Sequence, residues 1–501
     1  MVAAALALAC GGAAIDPPPL AFAENLVVTG TIVTMNDRVD VLRGGTVVVS
    51  AGRIAAVLRR GRPLPRWARA YPRVAGGTVY PGLVNPHDHL VYDTLPPWDV
   101  PLFHGRPLVS VDDWRDGPLT DPYLEAILFP RRDLLELGRA TDMGRWAELK
   151  GLVAGTTTTQ GSFGFNTGGE ELSKGFAHTL ARNVDIDNDH LAQSAGGIYE
   201  HETHKLNRPQ LDYVYETGSR YLVHLSEGRG AKSLHELAEL NDFGRGNERC
   251  GALMSRTSII HGTPYGPREF ALLARCGTDL VTATLGNLLY YGRAPDLALA
   301  LDAGVNVSIS TDWTPVGSRN LLEELKVVDF LSRNVYAHSI PSRTLVSMVT
   351  RNPARALGWE RHVGGIVTGL RGDLLVLERD GGDPYRRLIR ATEQDVELVT
   401  VDGDPLAGDV SVMQRLKPAN SEVVDSGCGF EKAIGMRAVT GVERRLARAF
   451  RSIRGLRDDE PSPLFTCADG VHFDALDRSR ALAWFTPALR ALPKQLRAAY
   501  R

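Results

Sequence analysis

VYPGLVNPHDHL, residues 79–90, follows an apolar, β-branched run and a Pro-Gly step with two histidines on either side of an aspartate. Alternate side chains of an extended chain share a face, so His87 and His89 point one way and Asp88 the other. Two imidazoles on one face at a strand end form a chelating pair for a divalent metal. A chance pair of surface histidines would look the same, so the metal reading requires further ligands elsewhere in the chain.

Outward from this stretch, residues 25–80 are short apolar runs broken by Gly-containing turns: NLVVTGTIVTM, GGTVVVSAGRIAAVL and AGGTVYPG. They read as β-strands. The same texture returns in GGIVTGLRGDLLVLERD and VELVTVDGDPLAGD, so one composite domain built from both flanks is expected. Between them, buried-strand runs such as RYLVHLSE, TSIIHGT, TDLVTAT and VNVSIST alternate with helical stretches such as PREFALLARC and LLEELKVVDFLSRN. Such alternation predicts an α/β fold, a (β/α)₈ TIM barrel carrying a composite β-sandwich domain from the N- and C-terminal flanks. The expected division is a leader at 1–24, sandwich at 25–80, barrel at 81–357, sandwich again at 358–409, and a partly helical extension at 410–501.

The active site of such a barrel lies at the C-terminal ends of its strands, so ligands should recur there. They do. YLVHLSEG, TSIIHGTPYG and VNVSISTDW place His224, His261 and Asp312 at the ends of three further runs.

With these pieces in view, the chain resembles the amidohydrolase superfamily, and within it the chlorohydrolase and aminohydrolase branch. PGLVNPHDH, HLSE, IIH, STDWTPVGSRNLLEEL and MVTRNPARALGWERHVGGIVTGLRGDLLVLE carry the resemblance, which spans residues 25–409. It implies that His87, His89, His224 and Asp312 bind one divalent metal, Zn²⁺ first and Fe²⁺ or Mn²⁺ as alternatives. It further implies that Glu227 shuttles protons, and that His261 and Asp312 act on the water. A metal-bound hydroxide would then hydrolyse a non-peptide C–N bond by deamination or amide- or amidine-type cleavage. The alternatives are a binuclear, peptidase-like relative, and a non-catalytic exported binding protein on the same fold. Binuclear relatives use a lysine from the fourth strand; Lys150, Lys174 and Lys205 lack that setting.

His104, Gln160, Asn287 and Trp313 are the candidate substrate-binding residues, and His201, His204 and Tyr290 are further candidates for the pocket lining. Gly286 stands where the branch often has serine, and Trp313 where it often has a smaller residue.

The 57 basic and 59 acidic residues leave a net charge of −2, and no domain-scale basic patch points to nucleic acid. A small-molecule substrate is the expected partner, and a homo-oligomer is compatible with the composition. The start, MVAAALALACGGAAIDPPPLAFAEN, reads as an export signal, with Cys10 the candidate for a lipid anchor and a periplasmic or lipid-anchored location expected. Of five cysteines, Cys250 and Cys276 read as small buried hydrophobes, and Cys428 and Cys467 as a pair that export would allow to oxidise.

Overall fold

The computed structural model describes residues 25–38, 41–99, 105–161, 180–185, 198–201, 208–242, 250–379, 381–468 and 486–500. The leader, with Cys10, and His104, Lys174, His204 and Lys205 lie outside them.

Four strands precede the Pro-Gly step: β1 (Leu26–Val33), β2 (Val41–Ser50), β3 (Arg53–Leu58) and β4 (Arg73–Pro81). Eight short strands follow: β5 (Leu83–Asn85), β6 (Thr156–Thr159), β7 (Arg182–Asn183), β8 (Ile198–His201), β9 (Arg220–Leu225), β10 (Thr257–His261), β11 (Asp279–Thr282) and β12 (Val307–Ile309). The last five are β13 (Leu374–Leu377), β14 (Val396–Val401), β15 (Asp404–Gly408), β16 (Glu422–Asp425) and β17 (Glu431–Ile434).

The flanking strands are not two separately bonded layers. They form one continuous sheet in the order β16-β17-β15-β14-β13-β4-β1-β2-β3. Strand β4 is the reason: it pairs in parallel with β1 on one side and antiparallel with β13 on the other, Tyr80 opposite Leu375. One core of Leu26, Val28, Val47, Ile54, Val79, Val376, Leu398 and Met413 draws on both ends of the chain. Strands β16 and β17 carry this sheet to Ile434.

The eight central strands are parallel throughout and lie in two sheets, β5-β6-β7 and β12-β11-β10-β9-β8. Strands β9, β10 and β11 are buried almost along their whole length, which explains their continuous apolar runs. Alternation still sorts the side chains. Val84, Val184, Leu222, Ile260 and Val281, from both sheets, form one small core with Leu357, Trp359 and Val363. Tyr221, Val223, Ile259 and Leu280 join the larger core instead.

Passage from β4 to β5 depends on Gly82. A Cβ there would lie 2.1 Å from the Thr157 hydroxyl oxygen, so no other residue fits without displacing β6. Its N–H donates to the Asp373 carbonyl, 2.9 Å away, beside the β4–β13 seam.

Both cysteine pairs are disulfides. Cys428 bonds Cys467, and Cys250 bonds Cys276. The second corrects the reading of Cys250 and Cys276 as free thiols. Cys276 ends the helix Pro267–Cys276, and folding brings the turn at Cys250 against it across 26 residues of chain, a proximity that spacing does not encode.

A buried ion cluster ties the parallel sheets to the nine-stranded sheet. The fully buried Arg182 guanidinium reaches Asp373 at 2.7 Å and Asp402 at 3.2 Å, and Arg371 meets Asp402 at 3.4 Å. Removing one member of such a cluster leaves buried charge uncompensated, at a cost of about 3–5 kcal/mol. Arg182→Met should therefore lower unfolding free energy by about that amount in a denaturant titration. A loss below about 1 kcal/mol would show that the cluster does not hold the sheets together.

Candidate metal centre

The candidate ligands all stand at or just beyond parallel strand ends. His87 and His89 follow β5, His224 lies within β9, His261 ends β10, and Asp312 comes three residues after β12. The β5 and β12 ends are joined by backbone. Asp88 bridges Asp312 in parallel register, the His89 N–H donates to the Asp312 carbonyl at 2.6 Å, and the Asp312 N–H to the His87 carbonyl at 3.3 Å.

One donor atom from each of His87, His89, His224 and Asp312 lies within 4.8 Å of all the others. The His224 Nε2 is 3.1 Å from the His87 Nε2 and 3.3 Å from the His89 Nε2. The Asp312 Oδ1 is 3.2 Å from the first of these partners and 3.5 Å from the second. Three imidazole nitrogens converging on a carboxylate oxygen are a donor set that suits a divalent transition ion. Their protonation agrees. Burial, reinforced by the neighbouring His87, pushes His89 down to about 3, and the same causes hold His224 well below the usual imidazole range. Burial alone would raise the Asp312 carboxyl, but the His87 hydrogen bond and the surrounding histidines outweigh it and hold it at about 2. Neutral imidazoles and an ionised carboxylate are the forms in which these groups ligate. A divalent ion fits.

Backbone strain marks the same places. Asp312 and His261 have φ of 64° and 78°, left-handed values that non-glycine residues take only when the surroundings impose them. Asp88 does point away, as alternation requires. Its carboxylate accepts from Asn85 and Thr311, both at 2.8 Å, in the buried layer beneath the ligands.

Glu227 and His261 stand beside the four-residue set. The Glu227 Oε2 is 3.8 Å from the His261 Nε2, and its Oε1 accepts a 2.7 Å hydrogen bond from the Tyr291 hydroxyl. The strap Leu108–Val111 crosses this corner: Leu108 N–H donates to the Tyr290 carbonyl and Val111 N–H to that of Glu227. Beyond it, Trp98, Trp114, Tyr123, Tyr290 and Trp313 pack as a wall of rings. Trp114 stacks on Trp313 at 6.0 Å, and Tyr92 meets Trp313 edge-on at 5.4 Å.

The two amides read as substrate-binding face histidines instead. Gln160 accepts from His87 Nδ1 at 3.1 Å, and Asn287 accepts from His261 Nδ1 at 3.2 Å. Trp313 belongs to the aromatic wall, next to the metal-facing aspartate. Sequence reasoning passed over Asp185, which accepts from Gln160 Nε2 at 2.8 Å, and Tyr291. A signal existed for Asp185, because it follows β7 as the other candidates follow their strands.

Lys150 is engaged elsewhere. Its ammonium donates to the Asp93 carbonyl, the Thr314 hydroxyl and the Ser462 hydroxyl, at 2.8, 2.8 and 3.1 Å.

Comparison with known proteins agrees with this geometry. Residues 178–407 match the model of the amidohydrolase family. A 5-methylthioadenosine/S-adenosylhomocysteine deaminase of Thermodesulfovibrio yellowstonii is 25% identical over 419 residues, 74% of this chain and 90% of that protein. An imidazolonepropionase of Chloroflexus aggregans is 33% identical over 151 residues, 27% of this chain and 34% of its own. Among solved structures, a zinc-bound adenosine deaminase from Xanthomonas campestris superposes with a TM-score of 0.57 at 20% identity, over 76% of this chain and 92% of that one. The zinc complex of atrazine chlorohydrolase from Arthrobacter aurescens gives 0.57 at 18%, over 76% and 95%. Residues 178–407 thus match the amidohydrolase family, and about three quarters of the chain is similar in sequence to deaminases and in fold to a deaminase and a chlorohydrolase.

Proposed function

We propose that this protein is a single-metal hydrolase of non-peptide C–N bonds in small molecules, most simply a deaminase of an amino-substituted heterocycle. One observation carries the reading: a three-imidazole, one-carboxylate donor set stands beside a second carboxylate, Glu227, that is within reach of His261. The resemblance to deaminases supports the choice of bond.

On this reading His87, His89, His224 and Asp312 hold Zn²⁺, the ion in the similar zinc-bound structures. When bound, such an ion acts as a Lewis acid and lowers the pKa of water from 15.7 to about 7. The chain's own residues do the rest. His261, its Nδ1–H committed to Asn287, presents Nε2 toward Glu227. Glu227, oriented by Tyr291, takes up a proton as the C–O bond forms and returns it to the nitrogen as the C–N bond breaks. Trp313 and the ring wall face this corner and give a flat apolar substrate a surface to lie against.

The two parallel sheets are read as arcs of one (β/α)₈ barrel. The Asp88–Asp312 bridge joins one pair of edges, and a single core takes side chains from both arcs. The composite sheet, from 25–80 and from 358 to Ile434, is its companion domain, and the chain after Ile434 is read as an extension. Export is part of the proposal, with the leader at 1–24 and Cys10 as the lipid-anchor candidate. Two disulfides support an oxidising compartment. The engagement of Lys150 favours one ion over two, since that amine already serves three acceptors.

Elemental analysis of the purified protein should find one equivalent of Zn²⁺, falling by at least about tenfold in His87→Ala and in Asp312→Ala. Two equivalents, or wild-type content in both variants, would remove the single-site reading. Glu227→Gln should keep its metal and lose about 10²–10⁴-fold in kcat for ammonia release from an amino-heterocycle that wild type turns over. Unchanged turnover in that variant would take the proton-transfer role away from Glu227.

A further inference from the structure

We propose that Gln160 and Asp185 form a two-residue relay that fixes His87 as an Nε2 ligand, making them positioning residues of the metal centre. The inference rests on the metal-site reading above and assigns to Gln160 a role different from substrate contact.

Tautomer choice decides whether His87 can ligate at all. A neutral imidazole has one N–H and one lone pair, and the ring donates the lone pair to a metal only from the nitrogen without the proton. His87 Nε2 faces the other donors, 3.1 Å from His224 Nε2 and 3.2 Å from Asp312 Oδ1. The proton must therefore sit on Nδ1, and Nδ1 lies 3.1 Å from the Gln160 Oε1, an atom that can only accept.

An amide can rotate by half a turn and offer its NH₂ group instead, which would demand the opposite tautomer. Asp185 forbids this. Its Oδ2 accepts from Gln160 Nε2 at 2.8 Å and from the Gly161 N–H at 2.9 Å. A carboxylate acceptor on the far side fixes the amide's NH₂ there, so Oε1 stays on His87. Asp185 is itself held, since its N–H donates to Asn183 Oδ1 at 3.0 Å and Asn183 Nδ2 donates to the Gly161 carbonyl at 2.9 Å. The first element is seated too: the Gln160 N–H donates to the Asn85 carbonyl at 2.9 Å, tying the β6 end to the β5 end. The Gln160 side chain is fully buried, so water does not compete for either end of its amide. Order thus runs from β7 through β6 to the first ligand of β5, each link a hydrogen bond with a defined direction.

Outer partners of ligating histidines are worth about 10–100-fold in metal affinity. The test measures Zn²⁺ affinity by competition with a chromogenic chelator, and the visible absorption of Co²⁺-loaded protein, in full-length wild type, Gln160→Leu, Gln160→Glu and Asp185→Asn. Gln160→Leu should bind Zn²⁺ about 10–100-fold more weakly than wild type and shift the Co²⁺ spectrum. Gln160→Glu keeps an acceptor for Nδ1–H, its far oxygen sharing one proton with Asp185 Oδ2, and should bind Zn²⁺ more tightly than Gln160→Leu. Asp185→Asn frees the amide to turn and should weaken binding in the same direction by a smaller factor. That variant also carries the test should Gln160→Leu not fold. Tighter binding with glutamate separates the relay from packing, because both substitutions fill similar volume and one alone accepts a hydrogen bond. Equal weakening in Gln160→Leu and Gln160→Glu, or wild-type affinity and spectrum in Gln160→Leu and Asp185→Asn, would overturn the relay while leaving the metal site standing. A wild-type protein that binds neither ion would overturn both.

Discussion

The backbone bridge between Asp88 and Asp312 is the constraint on which the rest depends. It brings together two residues 224 positions apart in the chain, through hydrogen bonds from His89 N–H and Asp312 N–H to carbonyls across the gap. Three of the four converging donors belong to the two loops that carry these residues. Their backbone positions are thus set by pairing, and the side-chain torsions bring the donor atoms together from there. The cost appears as the left-handed φ at Asp312. A strained backbone persists only where neighbours over-determine it. Here they do: Asn85, Asp88 and Thr311 form a buried triangle of hydrogen bonds of 2.7–2.8 Å directly beneath.

A second layer of support comes from far along the chain. Lys150, on the helix Ala140–Val153, gathers Asp93 from the loop after β5, Thr314 from the loop after β12, and Ser462 from the C-terminal extension. Burial and the nearby Arg319 push this lysine down to about 7, while Asp93 and Asp88 oppose them. Ser462 in turn takes a hydrogen bond from Arg319, offers its carbonyl to Trp146 at 2.7 Å, and donates its N–H to the Thr94 carbonyl at 2.9 Å. The extension therefore contributes to the floor of the site. Its removal would leave Lys150, Arg319 and Trp146 buried with fewer acceptors, which is the expensive direction for polar groups.

Legibility in the sequence followed the range of the interaction. Period-two alternation and apolar runs are local, so the strands, and the histidines that close them, could be read from His87, His89, His224 and His261 outward. Asp88 turning away is the same arithmetic. What a side chain meets across the fold is not local. Gln160 and Asn287 looked like pocket amides because nothing in their own neighbourhoods names the imidazoles they face. Cys250 and Cys276 looked like hydrophobes for the same reason. The composite domain was visible from its texture, while its bonding as one sheet depended on β4 having partners on both edges.

The two amides also reveal a common design. Gln160 behind His87 and Asn287 behind His261 each accept an Nδ1–H, and each is held from its other end, by Asp185 and by the Thr282 hydroxyl, 3.2 Å from Asn287 Nδ2. A neutral amide suits this place better than a carboxylate would. It fixes the tautomer without adding negative charge to a centre where Asp312 is already ionised and Glu227 stands close by. A Cβ at Gly286 would be 3.9 Å from Asp312 Oδ2, an ordinary contact, and Trp313 stacks on Trp114 in the ring wall. A fold shared with deaminases and a chlorohydrolase does not carry their substrates with it, because the walls against which a substrate must fit are a separate matter from the fold.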